Sequence, residues 1–406
     1  MGLFDASQAR RRQGPRGHYD MLLMVAAILL VSMGLVMIAS SSIAVADGAN
    51  KGAFYFFKRH TLFISLGFLC AVVAARTELK TLEKHSFLLM LLAVIMLLAV
   101  FLPVLGMRIN GARRWLNLFV TSFQPVEAVK LILVVYLASY LVRHRDGVEY
   151  KLFGVVKPLL VASFVIVLLL AQPDFGSSAL VIAVTVGMIW LAGARMRNLV
   201  LLGLPLVPAI AWAAMTEDYR MKRLTSFLDP WAHPYDDGFQ LTQALIAIGR
   251  GEWLGVGLGS SVQKLFYLPE AHTDFILSVI AEELGLAGVL FVIALFAVLV
   301  GRGLMLGLRG VEIGQRFAGY IAFGLSLMIG LQAIVSIGVN LGVLPTKGLT
   351  LPLISYGGSS VLLTCVMVGV LLRATFEINR AIDARAMGPR VATDGISVPL
   401  EQGEPA

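Results

Sequence analysis

Hydrophobic positions run in blocks of about twenty along this chain, parted by short polar segments. The blocks fall at roughly 21–46, 61–75, 86–103, 125–142, 155–171, 178–194, 199–215, 275–300, 317–341 and 351–372. A bilayer core asks for about 20 apolar residues per helical crossing. The pattern therefore predicts an all-α polytopic membrane protein, a bundle of about ten transmembrane helices. Residues 21–377 make one membrane domain, preceded by a basic segment, 1–20, and followed by a polar tail, 378–406, that is expected to be disordered. The first block is longer than the ~7–15 residues of a signal-peptide core and ends in no convincing cleavage site, so it is expected to remain as a span. Only one connection is long, about 216–274 between spans seven and eight. Loops beyond ~15 residues are uncommon and tend to be functional. This one is rich in turn formers and aromatics, with a helical run at Leu241–Ile248 and a glycine-punctuated stretch at Gly249–Gly259, and is expected to fold back onto the membrane surface.

Composition excludes a soluble globular domain, with 58% hydrophobic and 14% charged residues and a mean hydropathy of +0.83. The net charge of +8 is dispersed between the blocks. That distribution fits topology and lipid head groups rather than nucleic acid. Arg10, Arg11, Arg12 and Arg16 precede the first span, and a ten-span path from an inside start leaves the larger share of Lys and Arg inside, so both termini are expected in the cytoplasm. Two clusters stay outside against that trend, Arg113/Arg114 and Arg220/Lys222/Arg223, which points to an anionic ligand on the outer face. Cys70 and Cys365 sit within apolar blocks and read as small core residues.

The polar residues that this pattern leaves unexplained gather at Leu268–Gly285, LPEAHTDFILSVIAEELG. Glu270, His272 and Asp274 stand just ahead of an apolar run that carries Glu282 and Glu283 into hydrocarbon, where charge is costly and by default functional. Asp274, Ser278 and Glu282, at i, i+4 and i+8, share one helical face. The structural alternative makes Thr273 or Asp274 a helix cap and lets the glutamates satisfy neighbouring helices. Span four opens with QPVEAVK, which sets Glu127 and Lys130 at i and i+3, close enough to pair, with Glu282 or Glu283 as alternative partners. Asp174, in QPDFGSS, reads as a Pro-Asp turn capping a helix. Asn340 ends span nine, and the following LGVLPTKGLTLPLISYGGSS holds Pro345, Lys347, Gly348, Pro352, Ser355 and the Gly357/Gly358 pair. Such irregular backbone at membrane depth is tolerated only beside protein or a water-filled cavity. No HExxH, paired CxxC or GxxxxGK[ST] motif occurs, which weighs against an ATP-driven pump acting by itself.

Three stretches carry a more specific signal: LPEAHTDFILSVIAEELG, KRLTSFLDPWAHPYDDGFQLTQALIAIGRGEW and LPTKGLTLPLISYGGSS. Together they resemble the SEDS family (shape, elongation, division and sporulation) over about residues 20–380, and its division branch more than its elongation branch. The resemblance implies a peptidoglycan glycosyltransferase that polymerises lipid II on the outer face of the bacterial inner membrane, at the septum. It also implies a class B penicillin-binding transpeptidase and other division-complex membrane proteins as partners. Asp274 matches the family's essential outer aspartate, Pro345–Ser360 its signature loop, Lys347 its lysine, and Glu127 and Lys130 its span-four polar positions. Leu277 and Phe266 depart from residues common in relatives, phenylalanine and an acid respectively.

In that setting Asp274 is the expected general base on the acceptor hydroxyl, in a single inverting displacement. Arg114, Lys130, Lys347, Arg220, Arg223, Glu270 and His272 are the expected substrate ligands. Glu127, Glu282, Glu283, Asn340 and Ser355 form the expected supporting polar network. A divalent cation, Mg2+ or Mn2+, held with the substrate diphosphate is a further expectation. Two other readings stand beside this one. A lipid II flippase would depend on Asp174, Lys130 and Glu282 more than on Asp274, and a non-catalytic division scaffold would tolerate loss of Asp274.

Overall fold

A computed structural model describes residues 17–48, 52–109, 111–117, 121–203, 226–236, 238–265, 267–345 and 348–386. The helices are α1 (Met21–Gly48), α2 (Tyr55–Arg76), α3 (Leu79–Ala99), α4 (Pro125–Arg143), α5 (Arg145–Tyr150), α6 (Leu152–Ala171), α7 (Phe175–Leu191), α8 (Met196–Gly203), α9 (Phe239–Gly251), α10 (Ile276–Glu312), α11 (Arg316–Asn340) and α12 (Gly358–Ala386). Among the described residues eight of these are long and apolar enough to cross a membrane, and α7 is a shorter apolar helix. The protein is a helical polytopic membrane protein, as the hydrophobic blocks predict. The seventh block, 199–215, falls mostly outside the described residues, as does the Arg220/Lys222/Arg223 cluster.

Three boundaries differ from the sequence expectation. The all-α class gains a small antiparallel sheet, β1 (Gly106–Ile109), β2 (Ala112–Asn117) and β3 (Ser122–Phe123), in the order β1-β2-β3. The sequence between the first two strands is Asn110-Gly111, a strong hairpin dipeptide, and Gly111 takes a positive φ of 80°. The last block is helical only from Gly358, because residues 348–357 keep an irregular path with Pro352 in it. The same helix runs on to Ala386, so the expected disordered tail begins inside a helix.

Packing orders the bundle around α4, where 78% of the apolar window is buried, against 11% in α2 at the rim. The end before α1 is tied to α12: Asn379 Nδ2 donates to the His18 carbonyl at 3.1 Å, and Tyr19 packs on Phe376 with ring centroids 4.9 Å apart. Asp20 pairs with Arg302 of α10 at 2.7 Å on that same face. The start of α1 and the end of α12 thus lie on one side of the bundle.

α10 is broken at Gly285, whose φ of 67° and ψ of −166° belong to a region essentially reserved for glycine. The break strips backbone groups of their helical partners, and the loop after α9 replaces them. Val256 N–H donates to Glu282 O at 2.9 Å and Gly257 N–H to Glu283 O at 3.1 Å, while Leu286 and Ala287 N–H donate to Glu252 O and Trp253 O at 2.9 and 3.1 Å. The two backbones lie so close that a Cβ on residue 285 would be 2.4 Å from Gly255 N.

The same loop, with Arg250 at the end of α9, neutralises the two buried glutamates. Glu282 accepts from Arg250 at 3.2 Å, from Val262 N–H at 3.0 Å and from the Ser261 hydroxyl. Glu283 accepts from Lys264 Nζ at 2.7 Å and from Ser40 Oγ of α1 at 2.7 Å. Lys130, the alternative partner expected on span four, is instead held by Glu127. Residues 250–264 of the long connection are therefore a packed part of the bundle.

Lys264 is almost fully buried whereas the Arg250 side chain is 45% exposed. Removing one member of a buried pair strands the other, at about 3–5 kcal/mol. Lys264→Met should lower the unfolding temperature in detergent well below that of Arg250→Gln, measured by scanning fluorimetry; equal shifts would contradict this assignment. Gly285→Ala meets both a backbone clash and a forbidden φ, and monodisperse protein at wild-type yield on size exclusion would show that the break is dispensable.

Candidate active site

On the side opposite the start of α1 and the end of α12 lies a cavity of about 730 Å³, within the usual ~300–1,000 Å³ of ligand pockets. Five segments wall it: the first turns of α2 (Phe56, Arg59, Phe63), the β-sheet with its flanks (Arg114, Trp115, Gln124), Gln240 of α9, the approach to α10 (Pro269, Glu270 and His272 to Phe275), and the loop from Gly348 into the first turn of α12. Arg114, Glu270, His272 and Asp274, expected from sequence as substrate ligands and base, all line this one space.

Asp274 precedes α10 instead of belonging to it. The helix N-cap position is Phe275, whose side chain makes no cap bond, so Asp274 stands just outside the helical face that Ser278 and Glu282 share. A remote residue does the capping. Asn340, fully buried at the end of α11, accepts from Ser278 N–H at 3.1 Å and Ser278 Oγ at 2.9 Å. Its Nδ2 donates to Asp274 O at 2.9 Å and Ser336 O at 2.8 Å. One amide thereby shares the Ser278 N–H with the Phe275 carbonyl in the first turn of α10 and fixes the backbone of Asp274.

The loop before α12 is stitched to the same segment. Ser355 Oγ donates to Thr273 O at 2.6 Å and accepts from Leu351 N–H at 2.8 Å. Tyr356 N–H donates to His272 O at 2.9 Å. Gly348 lies against the Asp274 carboxylate, since a Cβ there would come within 2.9 Å of Oδ2. The rings of Phe56, His272 and Tyr356 meet at centroid distances of 5.1–5.5 Å and form an aromatic wall beside that carboxylate. Burial pushes the His272 imidazole below its ordinary pKa, with Glu270 opposing, so the ring is uncharged at neutral pH. Glu270 itself accepts from Thr273 Oγ1 at 2.6 Å.

Arg114 is held from behind, its Nε donating to Gln172 O at 3.0 Å and an Nη to Pro173 O. That turn is kept by Asp174, which caps α7 by accepting from Ser177 N–H at 3.2 Å, as the Pro-Asp reading expects.

Lys130 is not at the cavity wall. It is fully buried and donates to Glu127 at 2.8 Å and Gln332 Oε1 at 2.9 Å. An ammonium enclosed on all sides cannot meet a substrate, so the expectation of a substrate ligand gives way to a structural tie. Gln332 passes that tie upward, donating to Thr350 O at 3.0 Å, and Thr350 and Ser360, whose hydroxyls lie 2.9 Å apart, both line the cavity. Glu282 and Glu283 serve the α10 break described above. Lys347, Arg220 and Arg223 lie outside the described residues. Sequence reasoning passed over Arg59, Phe56, Tyr356 and Gln332. Only for α2 was there a signal, the i, i+3, i+7 spacing of Phe56, Arg59 and Phe63.

The family model for FtsW, RodA and SpoVE, described as "Cell cycle protein", matches residues 20–380. A protein of Xanthomonas oryzae pv. oryzae named "Probable peptidoglycan glycosyltransferase FtsW" is 52% identical over 399 residues, 98% of this chain and 80% of that one. One of the same name from Hahella chejuensis is 46% identical, covering 93% of this chain and 95% of its own. Among solved structures, one described as "Structural coordination of polymerization and crosslinking by a peptidoglycan synthase complex" superposes with a TM-score of 0.71 at 29% identity, over 89% of this chain and 98% of that one. The rod shape determining protein RodA of Thermus thermophilus superposes with a TM-score of 0.63 at 26% identity, over 88% and 96%. With its motifs, its fold and nearly its whole length in agreement, the chain belongs to the SEDS family, the FtsW/RodA/SpoVE cell cycle proteins.

Proposed function

We propose that this protein is a peptidoglycan glycosyltransferase of the division branch, polymerising lipid II at the outer face of the inner membrane during septation. The names of its relatives support the activity, and the observation that carries the site is the placement of Asp274. Its carboxylate stands at a cavity beside Gly348, on a backbone clamped by Asn340. A lipid-linked donor needs an apolar approach and a polar head-group site, and the bundle offers both.

In the proposed reaction Asp274 takes the proton of the acceptor 4-hydroxyl as that oxygen attacks the donor anomeric carbon. The glycosidic bond forms, the bond to the lipid diphosphate breaks, and a single displacement inverts the centre. Arg114, held by two main-chain carbonyls, offers its remaining N–H groups to the departing diphosphate. The neutral His272 and the rings of Phe56 and Tyr356 present a face suited to a sugar ring. For a divalent cation the cavity supplies hard carboxylate oxygens from Glu270 and Asp274, and among the described residues no group of three or more acidic, histidine or cysteine side chains forms a cage. Mg2+ or Mn2+ would therefore be held jointly with substrate phosphates and would offset their charge. A class B penicillin-binding transpeptidase is the proposed partner, in keeping with the synthase complex that this fold resembles.

Asp274→Asn keeps the shape and removes the base. Glycan formation from purified lipid II should fall by about 10²–10⁴ with the unfolding temperature unchanged, and wild-type polymer on a gel would reject the role. Gly348→Ala should displace the carboxylate while leaving the fold intact, because the crowded atom is the end of a side chain. Turnover should drop at constant stability; full activity would show that the carboxylate position is not limiting.

A further inference from the structure

We propose that Arg59 is the second cationic ligand of this cavity and, with Arg114, grips the diphosphate of the lipid-linked substrate. The inference rests on the reading of the cavity as a lipid II site and deepens it.

Position comes first. Phe56, Arg59 and Phe63 stand at i, i+3 and i+7 on α2, so they share one helical face, and all three line the cavity. The neighbours on that face are anchored. Phe56 packs on the His272 and Tyr356 rings at 5.1 and 5.3 Å, and Phe63 lies so close to Gly358 that a Cβ there would be 2.7 Å from its ring. With rings fixed one turn before and one turn after it, Arg59 is set at the cavity rim.

Its present partners are weak and neutral. One Nη donates to Thr121 Oγ1 at 3.3 Å and the other to Tyr55 Oη at 3.4 Å, and the guanidinium lies 5.8 Å from the Phe63 ring centroid. None of the ion pairs among the described residues includes Arg59 or Arg114. Lys130 and Lys264 are buried and each neutralised by a glutamate, whereas the two arginines on the cavity wall make no ion pair among the described residues. An unneutralised guanidinium pair facing one pocket suits a dianionic ligand, and the planar fork of arginine matches phosphate oxygens two at a time.

The two arginines are prepared differently. Arg114 already spends Nε and one Nη on the carbonyls of Gln172 and Pro173, which orients it but leaves few donors. Arg59 gives up only two long bonds to hydroxyls when it turns to a phosphate. Arg59 is therefore the arm that closes on the ligand and Arg114 the fixed one.

The test uses the full-length protein with its transpeptidase, and the variants Arg59→Gln and Arg59→Lys. Arg59→Gln should raise KM for lipid II by roughly ten- to a hundredfold, the worth of a hydrogen bond to a charged group, with kcat within a few-fold of wild type. Arg59→Lys should recover only part, since it restores charge without the fork. Inorganic pyrophosphate should raise the unfolding temperature of the wild type and not of Arg59→Gln, with orthophosphate the weaker probe. A polyprenyl diphosphate in micelles should do so at lower concentration if the lipid chain also binds. An unchanged KM, or an equal pyrophosphate shift in Arg59→Gln, would overturn the assignment while leaving the glycosyltransferase reading intact. Absence of polymer from the wild type would sink that reading, and the pyrophosphate shift would still decide for or against Arg59.

Discussion

A backbone polar group inside a bilayer has no water to turn to, so every departure from helix at membrane depth must be matched by protein. This constraint shapes the whole outer half of the molecule. The break at Gly285 exposes carbonyls and N–H groups that residues 252–257 take up one for one. The N-cap residue of α10, Phe275, makes no side-chain cap bond, and Asn340 bonds the first turn from another helix. The loop before α12 is irregular for ten residues, and Ser355, Tyr356 and Gln332 bind it to its neighbours. Each repair links two segments apart in sequence, and those made by Asn340, Ser355, Tyr356 and Gln332 hold the walls of the cavity.

Charge is sorted by the same economy. A lone charge in hydrocarbon is prohibitive, and a paired, hydrogen-bonded one is tolerable. Deep in the bundle Glu127 meets Lys130, and at the α10 break Glu283 meets Lys264 and Glu282 meets Arg250. These pairs hold structure. Around the cavity the pattern changes, with Arg59 and Arg114 held by neutral oxygens among the described residues. Charge without a built-in counter-charge is costly for folding and useful for binding, so its location separates a site from a scaffold.

The buried Lys130 pair and the cavity are joined by a single amide. Gln332 accepts from Lys130 and donates to Thr350, so the floor of the cavity rests on an ion pair in the middle of the bundle. Span-four polar residues can in this way matter to the chemistry without touching substrate.

The hydrophobic blocks by themselves determined that this chain crosses a membrane many times, because apolar length is a local property. The family motifs likewise singled out Asp274, Glu270, His272 and the residues 345–360, since chemically unusual residues beside apolar runs stand out in one dimension. Charge pairing was legible only where partners were a helical turn apart, as for Glu127 and Lys130. Where partners lie far apart in sequence, only the tertiary structure decided: Glu282 and Glu283 pair with loop cations, Asn340 caps α10, and Arg59 joins Arg114 at one cavity. Nor did composition reveal the three short strands or the break at Gly285, both of which depend on one glycine taking a backbone angle that neighbours then stabilise. Local pattern sets what a segment can be; which charge meets which is settled by packing, because an electrostatic partner is chosen by distance in space.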